Sequence, residues 1–216
     1  TKRVIEQFSH KPSTYAVEGD ASAASYLLTL PLVTGGEIKF PNYHGDLQGD
    51  LRYLEVVRHV SLQVDEEDGG RRYFYARDTR LKPVEQNFRE FSDTFLTIAA
   101  IAPLLDGPTK ITGIAHTRKQ ETDRVTGMAR ELIKLGQKVI ETEDSLEIHP
   151  QPLKSGVEIE TYEDHRFAMS FGILGCHDLH GDGGSWLSIK DPACCGKTFP
   201  TFFEVLESLR QTSIHS

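Results

Sequence analysis

The sequence predicts a mixed α/β (α+β) domain with pseudo-threefold symmetry, built from βαβαββ repeats with the helices packed inside and the sheets outside. Three observations predict it. Aspartates that each open a run at helical spacing stand at Asp20, Asp93 and Asp164, 73 and 71 residues apart. After the first two, the periodicities follow one order: helix, strand, helix, strand, strand. A period of about 70 residues also exceeds the roughly 20–45 of stacked solenoid units, which leaves a closed domain.

Each element has a local cause. Apolar residues recur at helical spacing over 20–33, and Gly35 and Gly36 stop that helix. Residues 37–40 alternate as a strand, and 50–60 return to helical spacing. Strands at 61–64 and 72–75 flank the turn residues Asp68, Gly69 and Gly70. In the second unit Asp93 opens a helix over 94–105, ended by Gly107 and Pro108, and a strand follows at 110–112. The next helix covers 122–135, with Met128, Leu132 and Leu135 on an apolar face and Gly136 as its stop. Residues 138–141 and 145–148 read as a hairpin around Glu143 and Asp144. In the third unit Asp164 opens a helix over 166–174, Gly183 and Gly184 precede a strand at 186–189, and a last helix spans 200–209. Extended runs at 15–18, 84–91 and 156–162 precede the aspartates and complete the unit, which is cut short at the C-terminus. The repeats are therefore about 15–83, 84–155 and 156–216, in one domain over 15–216. Residues 1–14 fit no repeat and read as the end of a preceding domain; Thr1 in place of an initiator Met points the same way.

Composition narrows the function. With 24 Lys plus Arg against 32 Asp plus Glu, the formal charge is −8, which argues against general affinity for nucleic-acid backbones. No apolar run approaches the roughly 20 residues of a membrane span, and the first residues are not expected to be a signal peptide. Cys176, Cys194 and Cys195 have no C-x-x-C spacing. That excludes a four-thiolate zinc site and a secreted disulfide framework, and suits a reducing cytoplasmic compartment.

Three polar runs sit at strand-to-helix junctions. The densest is Arg118, Lys119, Gln120, Glu121, Thr122, Asp123 and Arg124. Thr122 could cap a solvated helix start; yet two arginines oppose the helix dipole there, which points to an anionic ligand. Tyr162, Glu163, Asp164, His165 and Arg166 repeat the pattern, with Asp164 as a cap and Arg166 again opposed to the dipole. In the third run, Gly196 to Pro200, Thr198 suits a cap and Pro200 a first helical position, so Lys197 would stand beside a helix N-terminus. In a pseudo-threefold domain these junctions converge on one end. They would form a cationic pocket that attracts a small phosphorylated anion despite the acidic whole. Cys176, His177, Asp178, His180 and Asp182 look like metal ligands but read better as a polar loop, since no third region supplies an obvious ligand at the right spacing.

At these junctions the chain resembles the 5-enolpyruvylshikimate-3-phosphate (EPSP) synthase family. The matching stretches are Val17 to Ser22 with Ser25 and Tyr26, Gln48 to Asp50, Ser92 and Asp93 with Thr97, Arg118 with Glu121 to Arg124, Asp164 to Arg166 with Ala168 and Met169, and Lys197 to Pro200. They run in family order. The resemblance implies an enolpyruvyl transferase fold of two such domains, of which this chain would be the C-terminal one, with the site between them. It implies transfer of the enolpyruvyl group of phosphoenolpyruvate to the 5-hydroxyl of shikimate 3-phosphate in aromatic amino acid biosynthesis, with no metal and no organic cofactor. It implies Glu121 as the acid that protonates the vinyl carbon and Asp93 as the base near the 5-hydroxyl. Arg124, Arg166 and Lys197 would hold phosphoenolpyruvate, and Asp93, His116 and Gln120 shikimate 3-phosphate. Gln120 stands where the family usually has Lys, and His116 and Glu163 where many relatives have Asn. The partners implied are the two substrates and the enzyme's own N-terminal domain, with neither nucleic acid nor membrane. The chain alone is expected to be inactive. A non-catalytic anion-binding domain of the same fold is the alternative; an RNA-end cyclase shares the unit, but the charge argues against it.

Overall fold

The computed structural model describes residues 19–40, 47–76 and 79–214, with side chains to Leu209. The segment 1–14 and the strand expected at 15–18 lie outside the described residues.

The first helix of each repeat is central. Helix α1, Ala21–Thr34, starts where the Asp20 carboxylate accepts the Ala23 amide at 3.0 Å and ends at Gly35, whose φ of 71° is the left-handed region glycine adopts freely. Its neighbour α3, Phe95–Ile101, buries all seven of its residues. Helix α5, His165–Gly175, begins at the Asp164 cap and is buried from Phe167 to Leu174. These three pack on one another, as apolar all-round helices must. The second helices, α2 (Tyr53–Val60) and α4 (Arg124–Lys134), turn one face inward; in α4 Met128 and Leu132 are fully buried, as is Leu135 beyond its end. Helix α6 is Phe202–Ile214.

Three small sheets cover this core. In the first, β1 (Glu37–Phe40), β2 (Gln63–Glu67) and β3 (Gly70–Phe74) run antiparallel in the order β1-β3-β2. The second holds β4 (Glu85–Asn87), β5 (Thr109–Thr112), β6 (Lys138–Glu141) and β7 (Ser145–His149) in the order β4-β5-β7-β6, with only β4 and β5 parallel. The third pairs β8 (Val157–Ile159) and β9 (Leu187–Ile189) in parallel. The pairing of β8 with β9 repeats that of β4 with β5, and the first sheet repeats β5-β7-β6. Pairing topology thus carries the same repeat as the periodicity.

Several expected details differ. Asp93 does not cap a helix: Ser92–Thr94 form a 3₁₀ turn before α3, and no side-chain cap bond is made. The helix expected over 94–105 passes into a 3₁₀ turn, Ala102–Leu104, because Pro103 has no N–H to donate. The helix expected from 122 starts at Arg124, since the Asp123 carboxylate, not Thr122, accepts the Thr126 amide at 3.0 Å. Ser61, with φ of 135°, ends α2, so the next strand starts at Gln63. The last helix starts at Phe202 rather than Pro200, and Lys197 closes a separate 3₁₀ turn, Pro192–Lys197.

Candidate active site

The junctions before α3, α4 and α5, together with Lys197 ahead of α6, bring six charged side chains into one network. Arg124, the first residue of α4, is at its centre and only 3% exposed. A guanidinium is tolerated there only if its donors are met. Nε donates to Asp164 Oδ2 at 2.7 Å and Nη2 to Asp164 Oδ1 at 3.4 Å. Nη1 donates to Asp93 Oδ1 at 3.1 Å and to Gln120 Oε1, and Nη2 donates to Glu121 Oε2 at 3.1 Å. Arg124 therefore keeps no N–H in reserve.

Asp93 bridges two arginines. Its second oxygen accepts from Arg166 Nη2 at 2.7 Å, while Arg166 Nη1 reaches the Tyr26 hydroxyl at 3.4 Å. That hydroxyl is pushed up to about 12, by burial first, with Arg166 opposing, so it stays protonated. Arg166 Nε is buried with no hydrogen-bond partner among the described residues, an unspent donor. Asp164, fully buried, accepts the Arg166 amide at 2.9 Å as well as the Arg124 guanidinium. Its cap position and its ion pair are one carboxylate serving two purposes.

Glu121 faces the outer cations. Lys197 Nζ donates to its Oε1, Arg124 to its Oε2, and His165 Nδ1 lies 3.4 Å from Oε2. Burial works to raise its pKa, but the Lys197 ammonium, then His165 and Arg124, outweigh it and hold Glu121 down at about 2. His165 is 4% exposed, and neither ring nitrogen completes a hydrogen bond. Burial, then Arg166, lowers its own pKa below the usual histidine value, which favours the neutral ring. At neutral pH the cluster balances: Arg124, Arg166 and Lys197 against Asp93, Glu121 and Asp164. Apart from Arg166 Nε, an arriving anion must take its donors from carboxylates. Beside the cluster opens a small cleft lined by Asp20, Ser22, Tyr26, His165, Arg166 and Thr198.

Asp93, Gln120, Glu121, Arg124, Arg166 and Lys197 thus meet in one network. His116 joins only its edge, with Nε2 2.8 Å from Ser92 Oγ, beside Asp93. Arg118, weighed as an anion ligand, is spent on structure: it donates to Asp123 at 3.0 Å, Glu141 at 2.9 Å and the Thr142 carbonyl at 2.6 Å, tying the start of α4 to the β6–β7 hairpin. Gln48 closes the first junction, accepting the Ala21 amide at 2.9 Å. The 176–182 run forms a loop in which the Asp178 carboxylate accepts the Gly183 amide at 3.1 Å and the Trp186 indole donates to the His177 carbonyl at 2.7 Å. Glu121, Asp164 and His165 offer ligand atoms within 4.8 Å of one another, the one such trio among the described residues. Both of its carboxylates are already balanced by Arg124 and Lys197. Sequence reasoning assigned no site role to Tyr26 or His165, although both lie in the stretches that carry the resemblance. Tyr26 meets its partner from 140 residues away, a separation with no local signature.

Comparison with known proteins bears on the family and the fold. The family profile of EPSP synthase (3-phosphoshikimate 1-carboxyvinyltransferase) matches residues 2–206. The 3-phosphoshikimate 1-carboxyvinyltransferase of Opitutus terrae is 59% identical over 206 residues, covering 94% of this chain and 44% of that protein. The enzyme of the same name from Vibrio vulnificus is 36% identical over 201 residues, covering 93% and 45%. The chain therefore spans just under half the length of these relatives. Among solved structures, EPSP synthase from Acinetobacter baumannii superimposes with a TM-score of 0.74 at 25% identity, covering 89% of this chain and 46% of that one. The enolpyruvyl transferase NikO from Streptomyces tendae gives 0.67 at 16% identity, covering 90% and 44%, and bears on the fold alone. A family match over nearly the whole chain, on a fold whose three junctions meet in one ion network, means that this chain belongs to the EPSP synthase family.

Proposed function

We propose that this chain is the C-terminal domain of a 3-phosphoshikimate 1-carboxyvinyltransferase, residues 15–216 forming one wall of its active site and residues 1–14 the end of the preceding domain. The observation that carries the reading is the balanced network in which Arg124, Arg166 and Lys197 share Asp93, Glu121 and Asp164. Phosphoenolpyruvate brings a phosphate and a carboxylate. It would enter by exchange, using the unspent Arg166 Nε and drawing Lys197 and Arg124 from Glu121. Stripped of those cations, Glu121 regains an ordinary affinity for a proton and can pass it to the vinyl carbon. The 5-hydroxyl oxygen of shikimate 3-phosphate then bonds to the central carbon, its proton going to Asp93. The C–O bond to phosphate then breaks, one methyl proton returns to the Glu121 carboxylate to restore the double bond, and the proton on Asp93 leaves with inorganic phosphate. The three cations stabilise the charge that develops on the departing phosphate.

Gln120 and His116 are the shikimate 3-phosphate contacts in this reading. Gln120 supplies an amide without charge, so the positive charge facing that substrate comes from elsewhere in the site. The partners are the two substrates and the N-terminal domain of the same enzyme, and the compartment is cytoplasmic. Among the described residues no helix is long and apolar enough to cross a membrane.

A single wall binds phosphoenolpyruvate in about the millimolar range, near 4 kcal/mol, and cannot align two substrates. The test is phosphate release from both substrates by the purified chain, repeated after adding the separately expressed N-terminal domain. Activity only on mixing is expected. Turnover by the chain alone overturns the division of the site, and phosphoenolpyruvate binding without turnover on mixing favours a non-catalytic anion-binding domain.

A further inference from the structure

Arg124, Gly127 and Glu131 lie on one face of α4, three and four residues apart in succession. That face meets the segment from Glu160 to Phe167. At one end Arg124 holds Asp164. At the other, two turns or roughly 10 Å along the helix, Glu131 is completely buried. Its Oε1 accepts from the Tyr162 hydroxyl at 2.7 Å; its Oε2 accepts from the Glu160 amide at 3.0 Å and from Lys134 Nζ at 2.8 Å. Between them Gly127 leaves room that a side chain would fill: a Cβ there would stand 2.7 Å from Phe167 Cζ and 3.2 Å from Tyr162 Cε2. The Tyr162 and Phe167 rings pack edge to face, 5.2 Å apart.

The pinned segment is strained. Tyr162 and Glu163 are consecutive non-glycine residues with φ of 55° and 59°. L-residues adopt that region at a cost and hold it only where neighbours impose it. The two residues end immediately before Asp164, His165 and Arg166. Burial, then the bond to the Glu131 carboxylate, raises the pKa of the Tyr162 hydroxyl, so it remains a donor.

We infer that Glu131 is a positioning residue: through the Tyr162 hydroxyl and the Glu160 amide it holds the strained turn that sets Asp164 and Arg166 against Arg124. It touches neither substrate. The inference rests on the reading of those arginines as the phosphoenolpyruvate site, but its geometric half can be measured without any ligand.

The experiment uses the 216-residue chain and three substitutions. Tyr162→Phe removes only the hydroxyl. Glu131→Gln keeps an acceptor for the Glu160 amide and can donate to the Tyr162 oxygen, so it should rescue. Thr29→Val deletes two buried bonds, to the Ser25 carbonyl and the Tyr53 hydroxyl, each at 2.8 Å and outside the ion network, and controls for lost stability alone. Two quantities are read: hydrogen exchange of the Arg124 Nε–H by NMR, and the dissociation constant for phosphoenolpyruvate. Tyr162→Phe is expected to speed the exchange about fivefold or more and weaken binding about fivefold to tenfold, with Glu131→Gln near the parent and Thr29→Val unchanged in both. If Tyr162→Phe instead matches Thr29→Val in both quantities, Glu131 is structural and the inference fails. If the exchange responds but the parent itself does not bind phosphoenolpyruvate, the positioning role stands and the substrate reading falls.

Discussion

Replacing Lys197 by Met should release Glu121 and raise its titration midpoint. Lys197 and Arg124 share its two oxygens, and Glu121 sits at about 2 against an ordinary 4.5. A charge-assisted hydrogen bond contributes about 1.5–3 kcal/mol, or about 1–2 pH units at 1.36 kcal/mol per unit. Lys197 is 61% exposed, so solvent screening moves the expectation to the lower end, about one unit. Arg124 and His165 remain beside the carboxyl and keep it from returning fully. The assay is a ¹³C NMR titration of the Glu121 side-chain carboxyl, assigned with Glu121→Gln. A midpoint in Lys197→Met within about 0.3 units of the parent would refute the claim that Lys197 controls this acid. The same displacement should follow when phosphoenolpyruvate is added to the parent, because the substrate draws off the same ammonium. Stability follows with a definite sign. A carboxyl whose folded pKa lies below its unfolded one stabilises the fold above the unfolded value and loses that contribution as pH falls through the folded one. The Glu121 contribution is therefore complete above about pH 5 and gone below about pH 2; in Lys197→Met it is smaller, and its loss on acidification is complete about a unit higher.

Four further outcomes are expected. In the complete enzyme, Glu121→Gln should keep most substrate binding and lose about 10²–10⁴ in turnover, and turnover within about threefold of the parent would remove Glu121 from the acid role. Arg124→Ala leaves the buried Asp164 carboxylate without its cation and should cost about 3–5 kcal/mol, a fall of roughly 10 °C or more in Tm, whereas Arg166→Ala should chiefly weaken phosphoenolpyruvate binding; equal Tm losses would contradict the distinction. Gly127→Ala should lower Tm, since overpacking against Phe167 costs about 1–3 kcal/mol against the roughly 1 kcal/mol of helix propensity gained; a stabilised variant would show that the Phe167 ring yields easily. Glu163→Gly should raise Tm by about 2–4 °C, near 1 kcal/mol, by relieving the φ of 59°, and a lower Tm would mean that the Glu163 side chain contributes more than its backbone costs.

What the sequence by itself determined is what short-range physics writes into it. Helical and strand periodicities, the Asp20 and Asp164 caps and the Gly35 stop depend on residues within a turn of one another, and they led to the βαβαββ unit and its threefold repetition. The same local logic failed at Asp93. It occupies the repeated position, yet a 3₁₀ turn separates it from α3, and its carboxylate is spent on Arg124 and Arg166 instead. The resemblance brought Glu121, Arg124, Arg166 and Lys197 together by name, but not their pairing. Arg166 reaches Asp93 across 73 residues and Lys197 reaches Glu121 across 76, distances that only the packing of α1, α3 and α5 closes. Nor could spacing separate Arg118 from Arg124. Both sit in one run of seven, and the fold turns one toward a hairpin and the other into the site. The protonation state of Glu121 was decided at this tertiary level too. It is a balance between burial and the cations that neighbouring repeats deliver, and Coulomb interaction depends on distance through the folded molecule rather than along the chain.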